Sequence, residues 1–437
     1  MKRRDFNRSV AGAFGTVLFG QAISASNQDV LPRVNGERLH THLQALAEFG
    51  KMPGGGCNRV AFSQADLDGR EFVVDLMRTA GLDVRVDTAG NIIGRRAGSA
   101  PGLPPIMSGS HTDSVPTGGN FDGALGSLAA IEVAQTLTEQ GLTTQHPIEV
   151  VVFQNEEGGK TGSRAMIGKI TEQDLAQTTH SGKTIREGIE FIGGDPSRLE
   201  EAVRVVGDVA AFIELHIEQG AVLENAGITI GVVEGIVGIK RWKVTVEGAA
   251  NHAGTTPMDA RHDALLTAAR FVELVNRVVT TEPGTHVGTV GQIEAFPGAP
   301  NVVPGRVELS LEIRDLSMAK VDRLFEAINN SSVSLGTENG TTVTSEQYYE
   351  SEGAPTDESI SSTIDESADA LGLTHMRMPS GAGHDAQSLA QIAPIGMVFI
   401  PSEGGISHSP LEYSKHDDVV AGANVLLGAV LKLDGSL

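Results

Sequence analysis

The sequence predicts an α/β fold with a smaller α+β unit inserted into it, and three observations carry that expectation. Short apolar runs alternate with segments of helical periodicity through most of the 437 residues, the pattern of a largely parallel sheet covered by helices. Three of those runs, at 106–107, 148–153 and 210–215, lead into histidine or carboxylate side chains, and parallel strands gather such ends on one edge of their sheet. Between about 225 and 345 the texture changes to strands that alternate apolar and polar residues, as an antiparallel sheet with one solvated or helix-covered face requires.

Taken in order, residues 35–47 read as a helix, and Met52-Pro53-Gly54-Gly55-Gly56-Cys57 as a loop too rich in Gly for a regular element. Residues 72–80 read as helix, 82–87 and 92–94 as short strands. Ile106 and Met107 then lead into GSHTDSVPTGGNFDGALG (109–126), a strand end, a glycine-rich turn and the start of a helix. Leu128, Ile131, Ala134 and Leu137 recur at roughly helical spacing there, with Gly141 as the stop. IEVVVF at 148–153 and the run at 210–215 read as buried strands. In the inserted stretch, Trp242, Val244 and Val246 alternate with Lys243, Thr245 and Glu247; Val307, Leu309, Leu311 and Ile313 alternate with Glu308, Ser310, Glu312 and Arg314. Helical patterns at 264–279 and 318–330 complete a strand, helix, strand, strand, helix, strand order, which is ferredoxin-like. Beyond Gly353 the α/β texture resumes, with helix at 358–370, strand at 395–400 and a closing helix at 419–433. The expected domains are 34–224 with 346–437, discontinuous, and 225–345 inserted between them.

Composition narrows the function. A formal charge of -22 argues against nucleic acid or an anionic membrane surface as the main partner. Lys2-Arg3-Arg4-Asp5-Phe6, the moderately apolar run 10–23 and the small residues that follow resemble a bacterial twin-arginine export signal over residues 1–26, which places the mature protein in the periplasm. No other stretch approaches the roughly 20 apolar residues of a membrane span. With Cys57 as the one cysteine there is neither an intrachain disulfide nor a thiolate cluster, so any metal is held by His and carboxylate.

His111, Asp122, Glu157, His216 and His408 each occupy a strand-terminal or glycine-flanked position, and together they supply three imidazoles and two carboxylates. That inventory suits two divalent ions, Zn²⁺, Mn²⁺, Co²⁺ or Ni²⁺, sharing a bridging carboxylate. Asp113 is expected to orient His111. The adjacent Glu156 and Glu157 divide two roles between them: one binds metal and the other is free to take a proton from water. Other motifs fail. Gly159-Lys160-Thr161 resembles the end of a phosphate-binding loop, but Gln154 stands where its first glycine is required. GAGHDA at 381–386 mimics a dinucleotide fingerprint without a convincing strand before it, and no Gly-x-Ser-x-Gly elbow occurs.

GSHTDSVPTGGNFDGALG, QNEEGGKTGSRAMIG, ELHIEQG, GIVG, NHAGTTPMDARHDAL, NVVPGRVELSLEIRD, PSGAGHDA and GGISHSP, in this order, closely resemble the hydantoinase/carbamoylase amidases of the aminoacylase/carboxypeptidase metallohydrolase superfamily. That family includes N-carbamoyl-L-amino acid hydrolases, allantoate amidohydrolases and β-ureidopropionases. The resemblance implies an aminopeptidase-like catalytic domain with two metal ions and an inserted ferredoxin-like lid used for homodimerisation. It assigns His111, Asp122 and His216 to one metal, Asp122, Glu157 and His408 to the other, and Glu156 to the general base. It implies substrate contacts at Gln219, His252, Asn301, Arg314, Gly383 and His384, with Arg314 gripping a substrate carboxylate and His252 and Asn301 hydrogen-bonding the oxyanion, His252 reaching the partner's site. The expected reaction is hydrolysis of a linear carbamoyl or ureido C–N bond. An N-acyl amino acid hydrolase or dipeptidase is the alternative within the same chemistry, and a metal-dependent periplasmic binding protein the one outside it. Residues 158–161, GGKT, depart from the family by lacking an Arg-Phe pair after the two glutamates.

Overall fold

The computed structural model describes residues 32–100 and 102–437; the export signal expected at 1–26 lies outside the described residues. Among those described, nine strands form one mixed sheet whose middle is parallel. Ile148–Phe153, Ile106–His111, Ala211–Ile217 and Ile395–Ile400 lie side by side in that order and run the same way. All four are buried along their whole length, which is why their sequences carry near-continuous apolar runs. Asp83–Val86 and Ile92–Arg96 extend the sheet on one side by antiparallel pairing. Ile230–Ile236, with His375–Ser380 and Ala354–Pro355 beside it, extends the other.

Helices Gly36–Ala47, Gln64–Thr79, Ala124–Glu139, Glu358–Leu371 and His416–Ser436 contribute to one continuous apolar core on a single face of this sheet. Asn35 starts the first of them by accepting a hydrogen bond from the Arg38 N–H, the ordinary reason a helix begins at asparagine. His416–Ser436, expected as a closing helix at 419–433, is long and apolar enough to cross a membrane, against the expectation that no stretch beyond the amino terminus approaches a span. Its Val425, Leu426, Val430 and Leu433 are buried in the core instead. The short helices Thr161–Met166, Glu172–Leu175 and Ile185–Phe191 and the strand His375–Ser380 also escaped the sequence reading, being too short for periodicity to register.

The second sheet is antiparallel, in the order Ile293–Phe296, Arg306–Asp315, Gly238–Glu247, Thr342–Ser351, with Val287–Thr289 also against Arg306–Asp315. Helices Ala264–Thr281 and Met318–Glu338 cover one face, so Trp242, Val244, Val246, Val307, Leu309, Leu311 and Ile313 are buried while their alternates face away. Met318–Glu338 runs past the expected 330 through Ser331, Ser332 and Val333, poor helix formers, because Ser332 and Gly336 are buried against the sheet. This sheet spans 238–351 rather than 225–345, since Ile230–Ile236 is committed to the large sheet by its pairing. The chain passes between the sheets at Gly238 and Gly353, which lie so close that a Cβ on Gly238 would stand 2.8 Å from the Gly353 nitrogen.

Candidate metal centre

The carboxyl ends of the four parallel strands meet at one place. His111 closes the strand Ile106–His111, Glu156 and Glu157 follow Ile148–Phe153, His216 is the penultimate residue of Ala211–Ile217, and His408 comes from the loop after Ile395–Ile400. Asp122, from the turn that starts helix Ala124–Glu139, stands among them. Its Oδ1 is 3.2 Å from His216 Nε2 and 3.6 Å from His111 Nε2. Its Oδ2 is 3.3 Å from His408 Nε2, which is 3.6 Å from Glu157 Oε2. The ligand atoms of His111, Asp122 and His216 lie within 4.8 Å of one another, as do those of Asp122, Glu157 and His408. One carboxylate thus turns one oxygen to each trio, and nitrogen-plus-oxygen sets of this kind fit two borderline divalent cations. Glu156 belongs to neither trio, yet its Oε2 is 3.8 Å from His111 Nε2, so it faces the same space unclaimed.

Backbone geometry explains how these side chains are held. Gly123 has φ of 63°, and a Cβ there would stand 2.3 Å from the His111 ring, so glycine alone lets the helix start approach that histidine. His111 Nδ1 is 3.0 Å from the Asp113 carbonyl and His216 Nδ1 is 2.9 Å from the Ile217 carbonyl. A carbonyl only accepts, so each Nδ1 carries a proton and each Nε2 is the nitrogen that faces the centre. It is the Asp113 carbonyl rather than its carboxylate that meets His111 Nδ1. The carboxylate oxygens accept the N–H groups of Glu156 and Glu157, each at 3.2 Å, and come no nearer than 3.8 Å to His111. The chain bends after the strand end, which sends that carboxylate toward the neighbouring loop.

Three residues were missed. Glu412 Oε1 accepts the N–H groups of Phe121 and Asp122 at 2.9 and 3.0 Å, and Ser407 Oγ is 3.0 Å from Asp122 Oδ2 and 2.9 Å from Glu412 Oε2. Nothing in the sequence marks Glu412, about 290 residues from the loop it holds, whereas Ser407 stands directly before His408 in GGISHSP. Glu214, fully buried, accepts from Ser110 Oγ at 2.6 Å and from the Ala386 N–H at 3.1 Å, tying the sheet to the segment after His384. Its signal was available, because strand alternation puts Glu214 on the same face as His216.

The centre holds more acid than base. For Asp122, burial would raise the carboxyl, but hydrogen bonds to His111, His216 and His408 hold it well below the usual carboxylate range. Burial opposes charging His111, yet Asp122, Glu156 and Asp113 raise it well above its ordinary value. Burial, then the Asp122 and Glu156 charges, push Glu157 up to about 8, and Asp122 with Glu157 raise His408 to about 9. Burial also raises Glu156, with His111 and Lys160 opposing it. Carboxylates crowded this way call for cations.

Backbone strain gathers at the same place: Asn155, Lys160, Gln219 and His408 have φ between 51° and 59°, the left-handed region that non-glycine residues avoid. The expected substrate contacts divide. Gln219 Nε2 donates to Asp122 Oδ2 at 2.7 Å, so it steadies the shared carboxylate. His384 is buried, 2.8 Å from Ser380 Oγ and edge-on to His216 at 4.5 Å between ring centroids; burial and His216 lower its pKa well below the ordinary value, which keeps it neutral. Gly383 lies against the Lys160 side chain. Arg314 reaches across from the small sheet to donate to the Gly381 carbonyl at 2.8 Å, while its Nε is bound to Glu312 at 2.7 Å. His252 and Asn301 stand exposed on the small two-stranded pairing of Asn251–His252 with Val302–Val303. His252 Nδ1 accepts the N–H groups of Gly254 and Thr255, so Nε2 carries the proton and is a donor, and the ring meets no residue of the metal centre.

A model of the peptidase family M20/M25/M40 matches residues 107–432. An N-carbamoyl-L-amino acid amidohydrolase of Geobacillus stearothermophilus is 42% identical over 92% of this chain and 99% of its own. The N-carbamoyl-L-amino-acid amidohydrolase of Pseudomonas sp. (strain NS671) is 39% identical over 91% of this chain and 98% of its own. Among solved structures, a hydantoinase/carbamoylase family amidase from Burkholderia multivorans is 38% identical, covers 92% of this chain and 98% of its own, and superposes with a TM-score of 0.84.

Proposed function

Because the chain belongs to the peptidase family M20/M25/M40, and within it to the hydantoinase/carbamoylase amidases, we propose that it hydrolyses the linear ureido C–N bond of N-carbamoyl-L-amino acids. One observation carries this reading: a single carboxylate, Asp122, divides its oxygens between two ligand trios while an uncommitted Glu156 faces the space they enclose. Zn²⁺ or Mn²⁺ fits that donor set, and when bound such ions supply Lewis acidity to a carbonyl and acidify water.

His111, Asp122 and His216 would hold one ion, and Asp122, Glu157 and His408 the other. Glu156, its proton affinity raised by burial, takes a proton from the attacking water and delivers it to the leaving nitrogen. The Asp113 carboxylate fixes the peptide units of both glutamates, so base and ligand keep their separate directions. Arg314, at the lip of the 381–384 loop, grips the substrate carboxylate with its remaining N–H groups. His252 and Asn301 complete the oxyanion contacts from a second copy of the chain. A homodimer is supported by the exposed Leu265, Leu266 and Val272 on the outer face of helix Ala264–Thr281. Export to the periplasm rests on the twin-arginine segment alone.

The test is a panel assay of the Mn²⁺-loaded protein on N-carbamoyl-L-amino acids, allantoate, N-acyl amino acids and dipeptides. Turnover is expected on the carbamoyl substrates. Preference for allantoate moves the substrate within the ureido class, preference for N-acyl amino acids or dipeptides overturns the ureido reading, and metal binding without turnover of any of them favours a binding protein.

A further inference from the structure

The turn after the two glutamates contains a cation that the reaction scheme leaves unused. Lys160 has φ of 56° and ψ of 40°, the left-handed region that non-glycine residues avoid. Gly158 and Gly159 precede it, so a third glycine would relieve the strain. The position keeps a long cationic side chain instead, and that side chain has a defined place. Its Nζ donates to Gln387 Oε1 at 2.5 Å and lies 3.1 Å from where a Cβ on Gly383 would stand. Gln387 cannot turn away, because its Nε2 donates to the Glu352 carbonyl at 2.6 Å and reaches Ser351 Oγ at 3.3 Å. The amide oxygen is thereby aimed at the ammonium.

Among the described residues no carboxylate comes within ion-pair distance of Lys160. The one cation already given a substrate role, Arg314, is by contrast held by Glu312. Both cations touch the same short loop, Arg314 at Gly381 and Lys160 at Gly383. Lys160 also lines a cleft of about 800 Å³ between residues 158–169 and 349–355, whose wall includes Arg164, Lys169, Asp174, Glu350 and Glu352. Arg164 is paired with Asp174 and Glu350 with Lys240, which leaves Lys160, Lys169 and Glu352 without an ion pair among the described charges of the cleft. A half-buried ammonium whose hydrogen-bond partner is an amide oxygen, and which feels Glu156 only from beyond ion-pair distance, is short of a direct counter-charge, and a bound carboxylate would supply one.

We propose that Lys160 is a specificity residue that receives a carboxylate on the substrate's side chain, so that the preferred substrates are N-carbamoyl amino acids with acidic side chains. Arg314 takes the α-carboxylate and Lys160 the second one, with the 381–383 loop between them. This inference rests on the carbamoyl-amino-acid reading, and it names the side-chain class that reading leaves open.

The closing experiment compares kcat/KM on N-carbamoyl-glutamate, N-carbamoyl-glutamine and N-carbamoyl-methionine for the Mn²⁺-loaded full chain, Lys160→Met, Lys160→Arg and Lys160→Glu. The unmodified protein is expected to favour glutamate over glutamine about ten- to a hundred-fold, the scale of one charge-assisted hydrogen bond. Lys160→Met should bring that ratio to about one, Lys160→Arg should keep part of it, and Lys160→Glu should reverse it. Metal content and the thermal midpoint of each variant report whether it is folded. If Lys160→Met does not fold, added salt on the unmodified protein decides the matter: KM for the glutamate substrate should rise with ionic strength while that for glutamine stays level. A glutamate-to-glutamine ratio near one in the unmodified protein, or a high ratio unchanged in Lys160→Met, overturns the assignment. Turnover of the methionine substrate without acidic preference sinks this inference alone; failure on all three carbamoyl substrates sinks the reading beneath it.

Discussion

At the edge of the large sheet, His111, Asp122 and His216 are at most 9% exposed and hold one another at 3.2–3.6 Å, whereas His252 and Asn301 on the small sheet's rim stand in solvent, with nothing of the metal centre among their hydrogen-bond partners. The first group is prebuilt: ring tautomers are set by backbone carbonyls, and Glu412, Ser407 and Gln219 steady the shared carboxylate before any ligand arrives. The second is a set of donors without an object inside its own chain. Crowding the carboxylates of Asp122, Glu156 and Glu157 against buried His111 and His216, with His408 at the open side, is tolerable only if cations offset the charge. The exposed region is organised for something brought to it.

Glu156→Gln should have the largest effect, lowering kcat by about 10²–10⁴-fold with both metals retained after dialysis, since the residue stands in neither trio. Loss of metal in this variant would mean that Glu156 and Glu157 have been assigned the wrong way round.

Mixing comes next. Glu156→Gln and His252→Ala subunits, each inactive alone, should on exchange recover about a quarter of the sites, because half the dimers are mixed and each mixed dimer has one intact site. No recovery despite demonstrated exchange would end the view that the exposed region serves a partner's metal centre.

A smaller effect is expected at Arg314, where the two regions already touch. Arg314→Lys should lower kcat/KM on a free-acid substrate by roughly ten- to a hundred-fold and blunt the preference for acid over the corresponding amide, since an ammonium lacks the guanidinium's paired geometry. Equal activity of the unmodified protein on acid and amide would remove Arg314 as the carboxylate grip.

The smallest effect is on stability. In the metal-free protein His408 is raised from 6.5 to about 9 and Glu157 from 4.5 to about 8. Each is a group whose folded value exceeds its unfolded one, so its contribution is fully present below the unfolded value and is lost as pH rises through the folded value. The thermal midpoint of metal-free protein should therefore fall by a few degrees between pH 6.5 and 9. Metal, which replaces those protons, should reduce the fall, and identical pH profiles with and without metal would contradict the charge accounting at the centre.

The sequence by itself determined a good deal. Apolar runs buried on both faces marked the four parallel strands, strict alternation marked the small sheet, and the positions of His111, Asp122, Glu157, His216 and His408 at strand ends or glycine turns marked the cluster, because these are local properties of period and chain direction. Even Glu214 was within reach, two residues from His216 on the same strand. What only the tertiary structure decided lies in contacts across long stretches of chain. The pull of Asp122's two oxygens toward His216 and His408, the clamp that Asp113 places on Glu156 and Glu157, and the grip of Glu412 on the Asp122 loop join residues from 43 to 291 positions apart. The meeting of Lys160 with Gln387 spans 227 positions, and no periodicity reports it. Hydrogen bonds have angles and reach measured in tenths of an ångström, and a pattern of residue types carries neither until the packing of the two sheets sets both.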